Sequence, residues 1–152
     1  GGEGHDVLIA RLGELDVQLG PEAVEGAADK AGTNGGLQAI FAAVKQFSSD
    51  LTAVPCALKT LKLILSTDIT RDLFQAPAIK GPQTLISDFI ERYASAGGAS
   101  EAAVMEGAAL AAAAACTKCE TNKVLFMKYE IPTPVCTALS TYQSYPGTVK
   151  AL

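Results

Sequence analysis

Two thiols three positions apart, in Cys116-Thr117-Lys118-Cys119, form the one short motif in this chain whose residue types and spacing suit a reaction. Such a pair serves as a dithiol redox couple or as half of a zinc site. A thioredoxin-like couple stands where a strand enters a helix. This one follows the alanine-rich run Ala108 to Ala115 and is expected at a helix C-terminus, where the helix dipole opposes a thiolate. Zinc needs two further ligands; Cys56 and Cys136 fall on other predicted helices, and His5, the only histidine, lies in a glycine-rich terminus and reads as solvated. The four cysteines are therefore expected to be small packing residues, with no cofactor and no metal.

No other constellation offers better chemistry. Asp68 and Asp72, with Arg71 between them, read as a helix-start cap and surface ion pairs rather than paired catalytic carboxylates. Gly32-Thr33-Asn34-Gly35-Gly36 lacks the order of a phosphate-binding loop and follows no strand. A formal charge of −4, with 12 basic residues spread thinly, opposes nucleic-acid binding, which begins with clustered Lys and Arg. No apolar run reaches the roughly 20 residues of a membrane span. The chain has no initiator Met and no secretory pattern, and its four cysteines suit a reducing compartment, so a cytoplasmic piece of a longer protein is expected. A non-enzymatic role follows as the expectation.

The elements that would position these residues all read as helices. Hydrophobic residues make up 49% of the chain, much of it alanine, and strand formers never alternate over a long run. Val7, Leu8, Leu12, Leu15 and Leu19 form one stripe over Asp6 to Leu19. Gly20-Pro21 ends it, Pro21-Glu22 opens a short helix through Ala28, and Gly32 to Gly36 is expected as loop. Leu37, Ile40, Phe41, Val44 and Phe47 share a 3.6-residue face, and Ser48-Ser49-Asp50 can cap the next helix. That helix, Thr52 to Leu65, is apolar nearly all round and reads as buried. Ser66-Thr67-Asp68 caps a short turn, Ile69 to Phe74. An irregular passage between Pro77 and Pro82 precedes helix at Thr84 to Tyr93. After Gly97-Gly98, helix is expected from Ser100 to Cys119, then from Val135 to Tyr142, and from Thr148 onward.

The chain also matches itself. Ala57-Leu58, Leu73-Phe74 and Ile79-x-x-Pro82 reappear 52 residues later as Ala109-Leu110, Leu125-Phe126 and Ile131-x-x-Pro134. Self-similarity at a period of roughly 20 to 50 residues marks arrays of helical repeats; at 52, extra residues are expected in the loop around Ala94 to Ser100 or in the proline passage.

These residues resemble the armadillo repeat, with its glycine-rich turn, apolar helix, polar loop and long buried helix of Ala-Leu-x-x-Leu form ending near an Asn. Gly35-Gly36-Leu37 to Val44 looks like the second helix of a unit, Ala57-Leu58-Lys59-Thr60-Leu61 like the third, and Thr121-Asn122-Lys123 like its close. The resemblance implies an all-α, right-handed α-solenoid over residues 1–152, with units near 6–30, 31–76, 77–128 and 129–152. It implies a protein–protein interaction scaffold within a larger complex, in cytoplasmic, cytoskeletal or ciliary settings; the alternative is a peptide-holding transport or signalling adaptor. Peptide-gripping members carry an Asn where this chain has Thr60 and Ala112, which counts against the adaptor. Candidate partner contacts by this likeness are Thr60, Arg71, Ala112, Asn122 and Tyr142.

Overall fold

The computed structural model describes residues 2–20, 25–74, 82–128 and 130–152, and every regular element among them is an α-helix. In chain order these are α1 Gly2–Leu19, α2 Ala27–Thr33, α3 Gly36–Gln46, α4 Ala53–Ile64, α5 Asp68–Leu73, α6 Pro82–Tyr93, α7 Ala99–Cys116, α8 Glu120–Lys128, α9 Pro132–Thr141 and α10 Pro146–Ala151. The all-α expectation holds. The helix start expected at Pro21-Glu22 and the passage from Pro77 lie outside the described residues.

Helices α1, α4, α7 and α10 lie in one row, each packed on the next. At one end of the first pair His5 of α1 bonds Asp50, just ahead of α4; at the other, Thr60 of α4 donates to Asp16 of α1 at 2.6 Å. These two helices therefore run parallel. Helix α10 follows α7 in the same sense, because Thr148 donates to the Ala102 carbonyl at 3.0 Å while Ala151 and Leu152 lie beside the later turns of α7. Between row members come two further helices each time: α2 and α3, α5 and α6, α8 and α9.

The 52-residue self-match aligns helix ends, since α4 stops at Ile64 and α7 at Cys116. Their starts, Ala53 and Ala99, are only 46 apart. The difference lies inside α7, which has 18 residues against 12 in α4, rather than in the loops.

One continuous core runs along the row. Leu37, Ile40, Phe41 and Val44 form the buried face of α3 as its periodicity predicts. Helix α4 buries Val54, Ala57, Leu58, Leu61 and Ile64 and leaves Lys59 and Lys62 outside. Helix α7 buries six alanines together with Val104 and Met105, so small side chains let α4, α6, α8 and α10 all pack against it. Phe41, Phe74 and Phe126 join the layers, with ring centroids 6.0 and 5.9 Å apart in succession.

Local chemistry explains the corners. The Asp50 side chain accepts from the N–H groups of Thr52 and Ala53, both at 2.9 Å, satisfying donors that the first turn of α4 cannot pair internally. The Ala53 N–H is the chief cause holding its carboxyl below the usual carboxylate value, with Thr52 and His5 adding to it against a desolvation cost. Stability from this cap is present above the ordinary pKa and fades as pH falls through the lowered one. Thr67 and Thr70 form a capping box for α5, as Ser66-Thr67-Asp68 suggested.

Four expectations change. The loop expected at Gly32 to Gly36 is mostly helix: α2 continues through Thr33 because Gly32 lies against Thr70, where an added Cβ would stand 2.8 Å from the Thr70 methyl. Only Asn34 and Gly35 turn the chain, Gly35 at φ 88. The helix expected from Ser100 to Cys119 stops at Cys116. The helix expected from Val135 begins at Pro132, a first-turn position where proline's missing N–H costs nothing. On α1 Val7 is 48% exposed, so the buried stripe there reduces to Leu12 and Leu19, flanked by Leu8 and Leu15.

Candidate functional site

The C-terminal end of α7 collects the residues of interest, and its free carbonyls explain why. A helix leaves its last four carbonyls without internal partners. Here all four are met. The Thr117 N–H and hydroxyl return to Ala113, Arg71 Nε donates to Ala114 at 3.0 Å, Asn122 Nδ2 to Ala115 at 2.8 Å, and the Cys119 N–H to Cys116 at 3.1 Å. Asn122 Nδ2 also reaches the Arg71 carbonyl at 3.0 Å, tying α5, α7 and α8 into one corner.

Asn122 is fully buried, and its Oδ1 has no hydrogen-bond partner among the described residues. The likeness placed it at the close of the long helix. Its backbone instead belongs to the first turn of α8, while its side chain reaches back to close α7. Asn122→Ala removes both bonds and strands the buried Ala115 carbonyl, whereas the Arg71 carbonyl keeps the Phe74 N–H at 3.3 Å; removal of the orphaned Oδ1 moderates the effect further. We expect a loss of about 1–2 kcal/mol in denaturant unfolding, and an unchanged midpoint would refute the anchoring role.

Cys116 to Cys119 makes the turn between α7 and α8. Thr117 has φ −59 and ψ 118, Lys118 has φ 51, and the Cys116 carbonyl accepts from the Cys119 N–H, which together describe a type II turn. That left-handed position favours glycine, yet lysine holds it. Both cysteines are free and partly buried. Burial pushes the Cys116 thiol up, with the neighbouring Cys119 adding to the rise and Lys123 opposing it.

Beside this corner opens an apolar groove of about 410 Å3. Ala109, Ala112 and Cys116 of α7, Phe126 and Met127 of α8, Val135 of α9 and Leu152 line it, with Lys123 the one charged side chain among the described lining residues. Met127 is 61% exposed, and Val124 on the same helix is 66% exposed.

Of the five sequence candidates, Arg71 and Asn122 meet at this corner and Ala112 lies in the groove beside it, whereas Thr60 and Tyr142 lie elsewhere. Thr60 is buried and spends its hydroxyl on Asp16 and the Cys56 carbonyl. Arg71 is half-buried and bonds Ala114 and Asp68. Ala112 lines the groove. Tyr142 is buried; its hydroxyl donates to the Tyr93 carbonyl and accepts from the Gly97 N–H, holding the end of α9 on the turn after α6. Arg71, Asn122 and Tyr142 each reach a neighbouring three-helix set.

His5 was expected to be solvated and is instead bonded to Asp50, its side chain 25% exposed. Only tertiary placement brings these two together, so no local signal announced it. No group of three or more His, Cys, Asp or Glu side chains gathers among the described residues. Helix α7 has the length and composition of a membrane span at mean hydropathy 1.2, with half of it buried; a core helix meets the same description. No protein-family model, curated protein or solved structure matches the chain.

Proposed function

We propose that this chain is part of an armadillo-like α-solenoid that serves as a non-enzymatic scaffold for protein partners within a larger assembly. One observation carries the reading. Among the described residues, eight side-chain hydrogen bonds between separate helices or their caps join residues 38 to 51 apart, while a ninth, Asn122 to Ala115, joins two consecutive helices seven residues apart. In a repeat array each unit contacts its neighbours, so contacts cluster near one repeat length; a closed bundle also joins distant parts of the chain. The row of α1, α4, α7 and α10, with two helices between members, supports the same reading. Units near 6–30, 31–76, 77–128 and 129–152 belong to this proposal, as do cytoplasmic, cytoskeletal or ciliary settings, which rest on analogy with armadillo proteins.

A peptide-holding adaptor is the weaker alternative, because Thr60 is engaged inside the chain and Ala112 offers no amide. The partner surface we assign is the groove beside α8. Quantitative affinity capture should recover a defined set of proteins on the wild type and lose it on Met127→Glu, with the melting curve unchanged because Met127 is largely exposed. Equal recovery by both would overturn the assignment.

A further inference from the structure

We propose that Cys116 and Cys119 form a reversible dithiol–disulfide site that exchanges with low-molecular-weight disulfides of the glutathione class. The backbone carries this inference. A hydrogen-bonded type II turn holds its first and fourth Cα atoms within about 7 Å, and disulfides span Cα separations of about 4.4–6.8 Å. The two thiols stand at those positions of the turn, with Thr117 and Lys118 at its centre. Closure thus needs side-chain rotation and little backbone movement. Neither Cys56 nor Cys136 shares such a turn, so they act as internal controls.

The exchange balances in two steps. The Cys119 thiolate attacks one sulfur of the small disulfide, forming a mixed disulfide and releasing one small thiolate. Cys116, whose thiol burial keeps protonated longer, then loses its proton and its sulfur attacks Cys119 Sγ, expelling the second small thiolate. Two protein thiols are oxidised, one small disulfide is reduced, and the two protons leave with the small thiols. The new bond joins the last residue of α7 to the residue before α8, on the wall of the groove to which Cys116 contributes.

The test uses reduced protein, oxidised glutathione and trypsin. Cleavage after Arg92, Lys118 and Lys123 separates the two cysteines, so an internal bond leaves peptide 93–118 joined to peptide 119–123. We expect the joined species in the mass spectrum, reversed by dithiothreitol, with Cys136 carrying only glutathione. Separate peptides that each carry glutathione, or free thiols at both positions while Cys136 is modified, would overturn the proposal. Lys118→Val disfavours φ 51 and should lower the closure constant about tenfold, whereas Lys118→Gly should raise it; both variants lose the cleavage at 118, so closure is read as the loss of two hydrogens from the single peptide 93–123 across a series of glutathione ratios. Equal constants for both variants would also overturn it, because the turn would then not be what holds the thiols together.

Discussion

Phe74→Ala is expected to lower folding stability by about 3–5 kcal/mol, a larger loss than truncating Asn122 should cause. Phe74 closes α5, is fully buried, and sits between the rings of Phe41 and Phe126. Its removal therefore withdraws contacts from α3, α5 and α8 together. The cavity borders on aromatic rings of two different three-helix sets, and these cannot both collapse into it without pulling α3 and α8 off their own neighbours. Part of the volume stays empty, which puts the cost above simple transfer of a phenyl group. Ile69→Ala is the control, since Ile69 lies on the same helix but is 52% exposed and should shift stability by no more than about 0.5 kcal/mol. The measurement is a pair of denaturant unfolding curves. A Phe74→Ala loss below about 1 kcal/mol would mean that the packed rings do not couple the layers.

Position along the helix decided which residues were legible in the sequence. The face of α3 was readable because one side packs and the other is wet, so Leu37, Ile40, Phe41 and Val44 repeat at helical spacing. The caps Asp50 and Thr67 were readable because an oxygen-bearing side chain beside a helix start has one local use. Helix α7 had no readable face. It packs against α4, α6, α8 and α10, so apolar residues occur on several sides and no stripe announces where it ends. Its end depends on a left-handed Lys118, a conformation lysine does not signal. The partners of the candidate residues were hidden for a related reason. Arg71, Asn122 and Tyr142 each bond backbone 43 to 51 residues away, and such partners exist only after the helices stack. The self-match did locate this corner, because it aligned the ends of α4 and α7.

Gly107→Val is expected to cost about 3 kcal/mol, at the upper end for overpacking a helix interface. A glycine in the middle of an 18-residue helix already costs about 1 kcal/mol against alanine, so something must favour its retention. The neighbour is Leu58, 1% exposed on α4, whose Cβ and Cδ1 would stand 3.0 and 3.3 Å from a Cβ at position 107. Alanine at 107 therefore sets helix propensity against a crowded contact that Leu58 can relieve only by moving within a filled core. Valine removes the balance, because two further methyl groups on a stiff χ1 must be placed beside the Leu58 side chain that already crowds the Cβ. The close approach of α4 and α7 would widen, and with it the row on which the neighbouring helices rest. A double-mutant cycle isolates the cause. A Leu58→Ala background keeps the Cβ at 3.0 Å but removes the Cγ and Cδ1 atoms at 3.8 and 3.3 Å, so the Gly107→Val penalty should shrink by at least about 1 kcal/mol. Strictly additive penalties would place the strain elsewhere on α7 and would remove the argument that this glycine sets the spacing of the two helices.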